Sequence, residues 1–116
     1  MVLGLLLLAS AQGASVPGNP RFDSQCVIAA QSAHDQAEGE LRAATLLSVM
    51  FYFGRVDSLL SGLELEQQLD EEGRRLEGQP LGPLLSQCGE FMQGRGAAMQ
   101  EIGKRLQTKE QTRSID

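Results

Sequence analysis

The most informative segment of the chain is its apolar centre, AATLLSVMFYF at residues 43–53. Nine of these eleven residues are apolar, and they leave almost no polar side. A helix that is apolar nearly all round is normally buried on most of its surface. We therefore expect a helix from Glu40 to about Leu60 at the centre of the fold, broken or kinked at Gly54.

Helices are also predicted on both sides of this segment. Ala, Leu, Gln, Glu and Arg dominate the chain, and strand-like alternation is almost absent. Asp23 or Ser24 can cap a first helix. A third helix is expected from about Leu63 to Leu76, and a long fourth helix after Pro80. The sequence thus predicts an all-α domain, a small bundle of about four helices.

The third helix combines apolar residues with a run of charges. Its first half is acidic, and Arg74 and Arg75 lie at its end, which suits the helix dipole. Asp70 and Arg74, like Glu71 and Arg75, are four residues apart and can form ion pairs. A charge run of this kind is typical of a solvated face.

The fourth helix carries a long stripe that recurs at alternating steps of four and three, so we expect it to face the other helices along its whole length. Five glycines interrupt the helix, and each costs about 1 kcal/mol relative to Ala if exposed. Close approach of another helix at Gly89 and Gly96, or a kink around Gly94, would account for them. The stripe consists of Leu81, Leu85, Cys88, Met92, Arg95, Met99, Ile102 and Leu106.

The ends of the chain differ in composition from this domain. Residues 1–13 resemble a signal peptide, because a short apolar run is followed by small residues; an apolar helix packed in the domain is the alternative. Residues 14–22 form a predicted unstructured spacer, 23–107 the helical domain and 108–116 a flexible tail. We therefore expect a periplasmic or secreted protein without a membrane span after signal cleavage.

The two cysteines, Cys26 and Cys88, are 62 residues apart. Their number is even and the chain has the features of an exported domain, so they predict one disulfide. Two buried free thiols are the alternative. The spacing contains no C-x-x-C motif, and the chain has a single histidine, which leaves too few ligands for a zinc site.

Several classes of function are disfavoured by the composition. The net charge is −5 with no basic block, which argues against nucleic-acid binding. His34 and Glu38 are one helical turn apart, but no third metal ligand follows at a defined spacing. The serines lack a Gly-x-Ser-x-Gly context. We expect no catalytic residue, no metal and no cofactor. The chain is therefore not expected to be an enzyme.

The order of these parts resembles a known kind of protein. A predicted signal sequence is followed by an early cysteine, by the segment FYFGRVD at residues 51–57, and by an amphipathic last helix with the second cysteine. This arrangement resembles the small exported proteins of the HdeA type, acid-stress chaperones of the bacterial periplasm. It also resembles the type VI secretion immunity proteins of the Rap or Tai group.

The resemblance implies an all-helical domain with Cys26 bridged to Cys88, no cofactor, and a function exercised through protein contact. In a chaperone, acid would protonate carboxylates, loosen the fold or a dimer, and expose apolar surface to clients. In an immunity protein, a folded surface would block the active site of a toxin.

Our hypothesis from the sequence is a non-enzymatic binding module with an unidentified protein partner. The expected contact regions are the acidic third helix and the groove beside the aromatic segment. The alternative is a structural cell-envelope protein that self-associates, for instance as a homodimer, through its C-terminal amphipathic helix. The predicted partner surface consists of Phe51, Tyr52, Phe53, Arg55 and Asp57.

Overall fold

The computed structural model describes residues 19–115, which form four helices and no strand. The predicted all-α fold of about four helices is confirmed. The predicted signal peptide, 1–13, and most of the predicted spacer lie outside the described residues. The helices are α1 (Pro20–Gln36), α2 (Gly39–Asp57), α3 (Gly62–Leu76) and α4 (Gly82–Ile115).

The first helix begins earlier than the sequence analysis placed it. The side chain of Asn19 accepts a hydrogen bond from the backbone N–H of Arg21 at 2.8 Å, and Pro20 occupies the first helical position. Both features are typical helix starts. The prediction that Asp23 or Ser24 caps this helix was therefore wrong. Residues 20–22, placed in the spacer, belong to the helix.

The centre of the fold is α1, and the prediction that α2 is central was wrong. On α2 only Tyr52 and Val56 are buried, whereas α1 packs against all three other helices. A domain of this size has too little interior to cover every side of an apolar helix. The buried residues of α1 are Phe22, Asp23, Ser24, Gln25, Cys26, Val27, Ala29 and Ala30.

A disulfide between Cys26 and Cys88 fastens the start of α4 to the middle of α1. The two Cα atoms are 5.8 Å apart and both cysteines are buried. The predicted disulfide is confirmed, and the alternative of two free thiols was wrong. A cross-link over 62 residues stabilises a fold by about 4 kcal/mol in the chain-entropy model.

Aromatic rings belong to the same core cluster as this disulfide. Phe22 contacts Tyr52 and Phe91 edge-on, each with ring centroids 6.2 Å apart. The Tyr52 and Phe91 rings are stacked at 6.5 Å, and the Tyr52 hydroxyl donates a hydrogen bond to the carbonyl oxygen of Cys88. The core therefore joins α1, α2 and the first half of α4.

The second half of α4 extends beyond this core. The helix has 34 residues, a length of about 51 Å at 1.5 Å per residue, whereas α1 has only 17. The shorter helices cannot cover it, and Met99, Ile102 and Leu106 are exposed. The expectation that the whole stripe faces the other helices was therefore wrong in its C-terminal part. We call these three residues the α4 stripe.

The predicted boundary near residue 107 does not coincide with the end of the helix. The helix continues to Ile115, and the hydroxyls of Thr108 and Thr112 donate to carbonyl oxygens four residues earlier. Lys, Gln, Glu and Arg, which favour helices, fill most of this segment. That it is flexible stays a prediction.

The glycines of α4 do not mark close packing among the described helices. Within residues 19–115, a Cβ built at any of them would meet no atom within 4 Å beyond the helix's own nearby backbone, so the expected helix contact at Gly89 and Gly96 is absent there. The helix is continuous through all of them. Their open surroundings leave only the conformational cost of glycine in a helix.

We expect Gly94→Ala to raise the free energy of unfolding by about 0.5–1 kcal/mol, because a mid-helix alanine loses less backbone entropy than glycine. Gly39→Ala is the matched control. Gly39 has a φ of +61°, which disfavours any side chain, so this variant should be destabilised. Urea unfolding of both variants measures the difference. Destabilisation by Gly94→Ala would show that this glycine has a packing role.

Candidate functional site

An apolar surface covers the side of α2 that faces away from α1. Leu46, Leu47, Met50 and Phe53 are 45%, 65%, 63% and 41% exposed. Steps of about four and three residues place them on one side of the helix. We call these four residues the outer face of α2. Contiguous exposed apolar surface of this kind marks an interaction site.

The predicted partner surface is only partly on this face. Phe53 and Asp57 are exposed, whereas Tyr52 is buried and Phe51 and Arg55 are half-buried. Consecutive residues of a helix point in different directions, so a contiguous window such as 51–57 cannot form one surface. Leu46, Leu47 and Met50 were missed because the expected central position of α2 implied their burial. Their helical spacing was the signal that could have found them.

An ion pair joins Arg55 on α2 to the buried Asp23 on α1. Arg55 donates from Nε to Oδ2 of Asp23 at 3.1 Å, and Asp23 is only 1% exposed. The guanidinium group also lies over the ring of Phe91, 4.8 Å from its centroid, and 5.7 Å from that of Phe51. Cation–π contacts of this kind hold the arginine in place. This cluster links α1, α2 and α4.

The ionisation of Asp23 and Tyr52 reflects this burial. Burial raises the pKa of Asp23, and the neighbouring Arg55 charge only partly offsets the rise. The Oδ1 atom of Asp23 has no hydrogen-bond partner among the described residues. Burial and the Asp23 charge raise the pKa of Tyr52 to about 12, against the opposing effect of Arg55. Tyr52 therefore stays protonated at neutral pH and donates to Cys88.

A second buried charge, Glu72, joins α3 to α1. Its carboxylate accepts hydrogen bonds from Arg21 at 3.1 Å, from Gln25 at 3.0 Å and from Arg75 at 3.1 Å. The predicted solvated ion pairs of α3 are present as well. Glu72 departs from that prediction because it is buried. It follows Leu69 by three residues, so it continues the apolar stripe, and this spacing was the missed signal.

His34 connects the end of α1 to the start of α2. Its Nδ1 donates to the carbonyl oxygen of Arg42 at 3.0 Å and lies 3.2 Å from the Thr45 hydroxyl. Arg42 in turn donates to the carbonyl oxygen of His34. Within residues 19–115 no group of three His, Cys, Asp or Glu side chains could hold a metal ion. His34 is thus a structural residue at a helix junction.

A shallow groove of about 330 Å³ opens between α1, the start of α2 and the start of α4. Ser32 and Gln36 are its polar residues. Nothing in its lining can act as a nucleophile paired with a base, so the groove offers packing surface rather than chemistry. Its apolar lining is formed by Ala29, Ala33, Ala37, Leu41, Leu81 and Leu85.

In the part of the chain that the structure describes, no helix is both long and apolar enough to cross a bilayer. Comparison of the chain with protein-family models, curated proteins and solved structures finds no significant match. The resemblance to acid-stress chaperones or immunity proteins therefore stays a prediction. The exposed outer face of α2 is the candidate functional site.

Removing the buried carboxylate at Glu72→Ala should lower the free energy of unfolding by about 3 kcal/mol. This is the lower end of the usual range for breaking a buried pair, because Arg21 and Arg75 are partly exposed and can be rehydrated. Glu71→Ala, which removes an exposed ion pair with Arg75, should lower the free energy of unfolding by at most about 1 kcal/mol. Equal losses for the two variants, measured by urea unfolding, would contradict this assignment.

Replacing Asp23 with Asn should change the pH dependence of stability. Because the pKa of Asp23 is raised, the folded state binds this proton more tightly than the unfolded chain does. The carboxyl therefore adds stability as the pH falls through its raised pKa and loses that contribution as the pH rises. As the pH falls from neutral to about pH 4, the free energy of unfolding of the natural protein should rise relative to that of Asp23→Asn. A relative rise for the Asn variant instead would refute the raised pKa.

Proposed function

We propose that this chain is a non-enzymatic binding module of the periplasm or the extracellular space that acts through protein–protein contact. The observation that carries the proposal is the outer face of α2, with Leu46, Leu47, Met50 and Phe53 exposed side by side. Covering such side chains contributes about 1.5–3 kcal/mol each when burial is complete. A partner that buries this face gains part of this energy, because the four side chains are already partly covered.

The chemistry of this face suits an adaptable contact. Its side chains are apolar, and Met50, with its flexible thioether, can adjust to partners of different shape. The buried carboxylates of the core, Asp23 and Glu72, are engaged in ion pairs that hold α2 and α3 on α1. The outer face of α2 therefore lies on a fold that is cross-linked by the disulfide, and a partner can bind it without prior unfolding.

The proposed compartment rests on the disulfide. Bonds such as Cys26–Cys88 persist in oxidising surroundings and are rare in the cytosol. The predicted signal peptide at residues 1–13 points the same way. Together these features support export to the periplasm or the outside of the cell.

Two versions of the binding function use this face differently. In the chaperone-like version, the outer face of α2 holds apolar segments of unfolding clients, and acid increases the exposed area. In the immunity-like version, the folded face blocks one toxin, and the gene for that toxin should lie beside the gene for this chain. The raised pKa of Asp23 favours the folded state in acid, so this carboxyl opposes loosening of the core at low pH.

A second candidate function is a structural cell-envelope protein that self-associates through α4. The observation that favours it is the α4 stripe, whose residues Met99, Ile102 and Leu106 are exposed on the part of α4 that extends beyond the core. An unpartnered apolar stripe on a helix is a typical seam for another helix. This function needs only copies of the same chain.

Met50→Lys should remove client binding while leaving the fold intact, because a charge at an exposed site opposes apolar contact without disturbing the core, and lysine is charged at acid and neutral pH. Leu63→Lys is the matched control, since Leu63 on α3 is 67% exposed and lies outside the outer face of α2. The measurement is light scattering of an aggregating client at about pH 2–3 and at neutral pH.

The natural protein and Leu63→Lys should suppress aggregation, and Met50→Lys should not. Equal suppression by Met50→Lys would show that this face is not the binding site. Failure of the natural protein at both pH values would exclude the chaperone-like version and leave the immunity-like one, which the gene neighbourhood tests.

A further inference from the structure

Two exposed apolar surfaces on this chain have matching patterns. On α2, the outer face lies between two charges, and the order along the helix is Arg42, Leu46, Met50, Phe53 and Asp57. The steps between these residues are four, four, three and four. All five residues are exposed. The face is thus an apolar strip with a cation at its start and an anion at its end.

The α4 stripe has the same pattern in the opposite chain direction. Read backwards, the order is Glu110, Leu106, Ile102, Met99 and Arg95, and the steps are again four, four, three and four. All five residues are exposed. The anion now comes first and the cation last. The two strips are therefore equal in spacing and opposite in charge.

We infer that the α4 stripe of one copy of this chain packs antiparallel on the outer face of α2 of a second copy. In this register the three apolar residues of each strip oppose one another, and the ends bring together residues of opposite charge. Of the two charge pairs at the ends of the strips, Asp57 with Arg95 is the one nearer the core, because Asp57 follows the buried Val56. The facing apolar pairs are Leu46 with Leu106, Met50 with Ile102, and Phe53 with Met99.

The flank of the same contact is also complementary in size. The residues that follow each strip by one position are also regularly spaced. Leu47 and Gly54 are seven residues apart on α2, as are Gly96 and Gly103 on α4. In an antiparallel pair these positions meet on one side of the seam, Leu47 with Gly103 and Gly54 with Gly96. The space beside Gly103 is open, so it can receive the 65% exposed side chain of Leu47.

A second copy is the occupant that these observations favour. Within one chain α4 is a continuous helix, and both strips remain exposed. A two-fold dimer makes the contact twice, because each copy offers one strip of each kind. The inference rests on the second proposed function, self-association through α4, and it names the receiving surface. It also provides a cover for the outer face of α2 until a client displaces it.

Sedimentation velocity of the purified oxidised protein over a wide range of concentration tests this pairing. The natural protein should associate reversibly. Asp57→Arg and Arg95→Asp should each weaken association by about tenfold, since each turns an attraction into a repulsion in both copies of the contact. The double variant, with both charges exchanged, should recover most of the natural affinity. Glu64→Arg, an exposed charge change on α3, is the control and should leave association unchanged.

The outcomes separate this inference from the functions proposed above. A natural protein that stays monomeric overturns both the pairing and self-association, but not client binding. Association that ignores Asp57→Arg, as contact between two α4 helices would, overturns the pairing alone. Weakening by both single variants without recovery in the double variant also overturns it, because the two charges would then act independently. Recovery in the double variant is the result that the pairing requires.

Discussion

The disulfide between Cys26 and Cys88 holds the first and last helices of the fold together. It joins the middle of α1 to the start of α4 within the buried cluster that also contains Phe22 and Tyr52. The chain is small, and hydrophobic burial alone leaves a domain of this size marginally stable. The covalent link fixes where α4 leaves the core. The exposure of the α4 stripe follows from that placement.

The remaining contacts orient the other two helices on α1. Arg55 and Asp23 hold α2, while Glu72 with Arg21 and Gln25 holds α3. Buried ion pairs add little net energy but strongly disfavour arrangements in which one charge loses its partner. They therefore fix the side on which α2 is covered. The uncovered side is the outer face of α2, the surface to which we assign binding.

Part of the fold could be predicted from the sequence. The helical class, the disulfide and the bounds of α3 follow from local signals: composition, an even cysteine count and one apolar stripe. The burial of α2 could not be predicted, because composition shows how apolar a helix is but not how much partner surface exists to cover it. The exposure of single residues of α2 was unpredictable for the same reason: Tyr52 is in the core, whereas Met50 is exposed. Glu72 was missed because a charge on an apolar stripe needs its partners, on α1, to be known.

Urea unfolding with and without a reductant shows whether the Cys26–Cys88 bond stabilises the packing of α4 on α1. Reduction should lower the free energy of unfolding by about 4 kcal/mol, and the reductant should have no further effect on a variant that lacks both cysteines. Equal stability of the oxidised and reduced protein would show that the bond does not stabilise this packing.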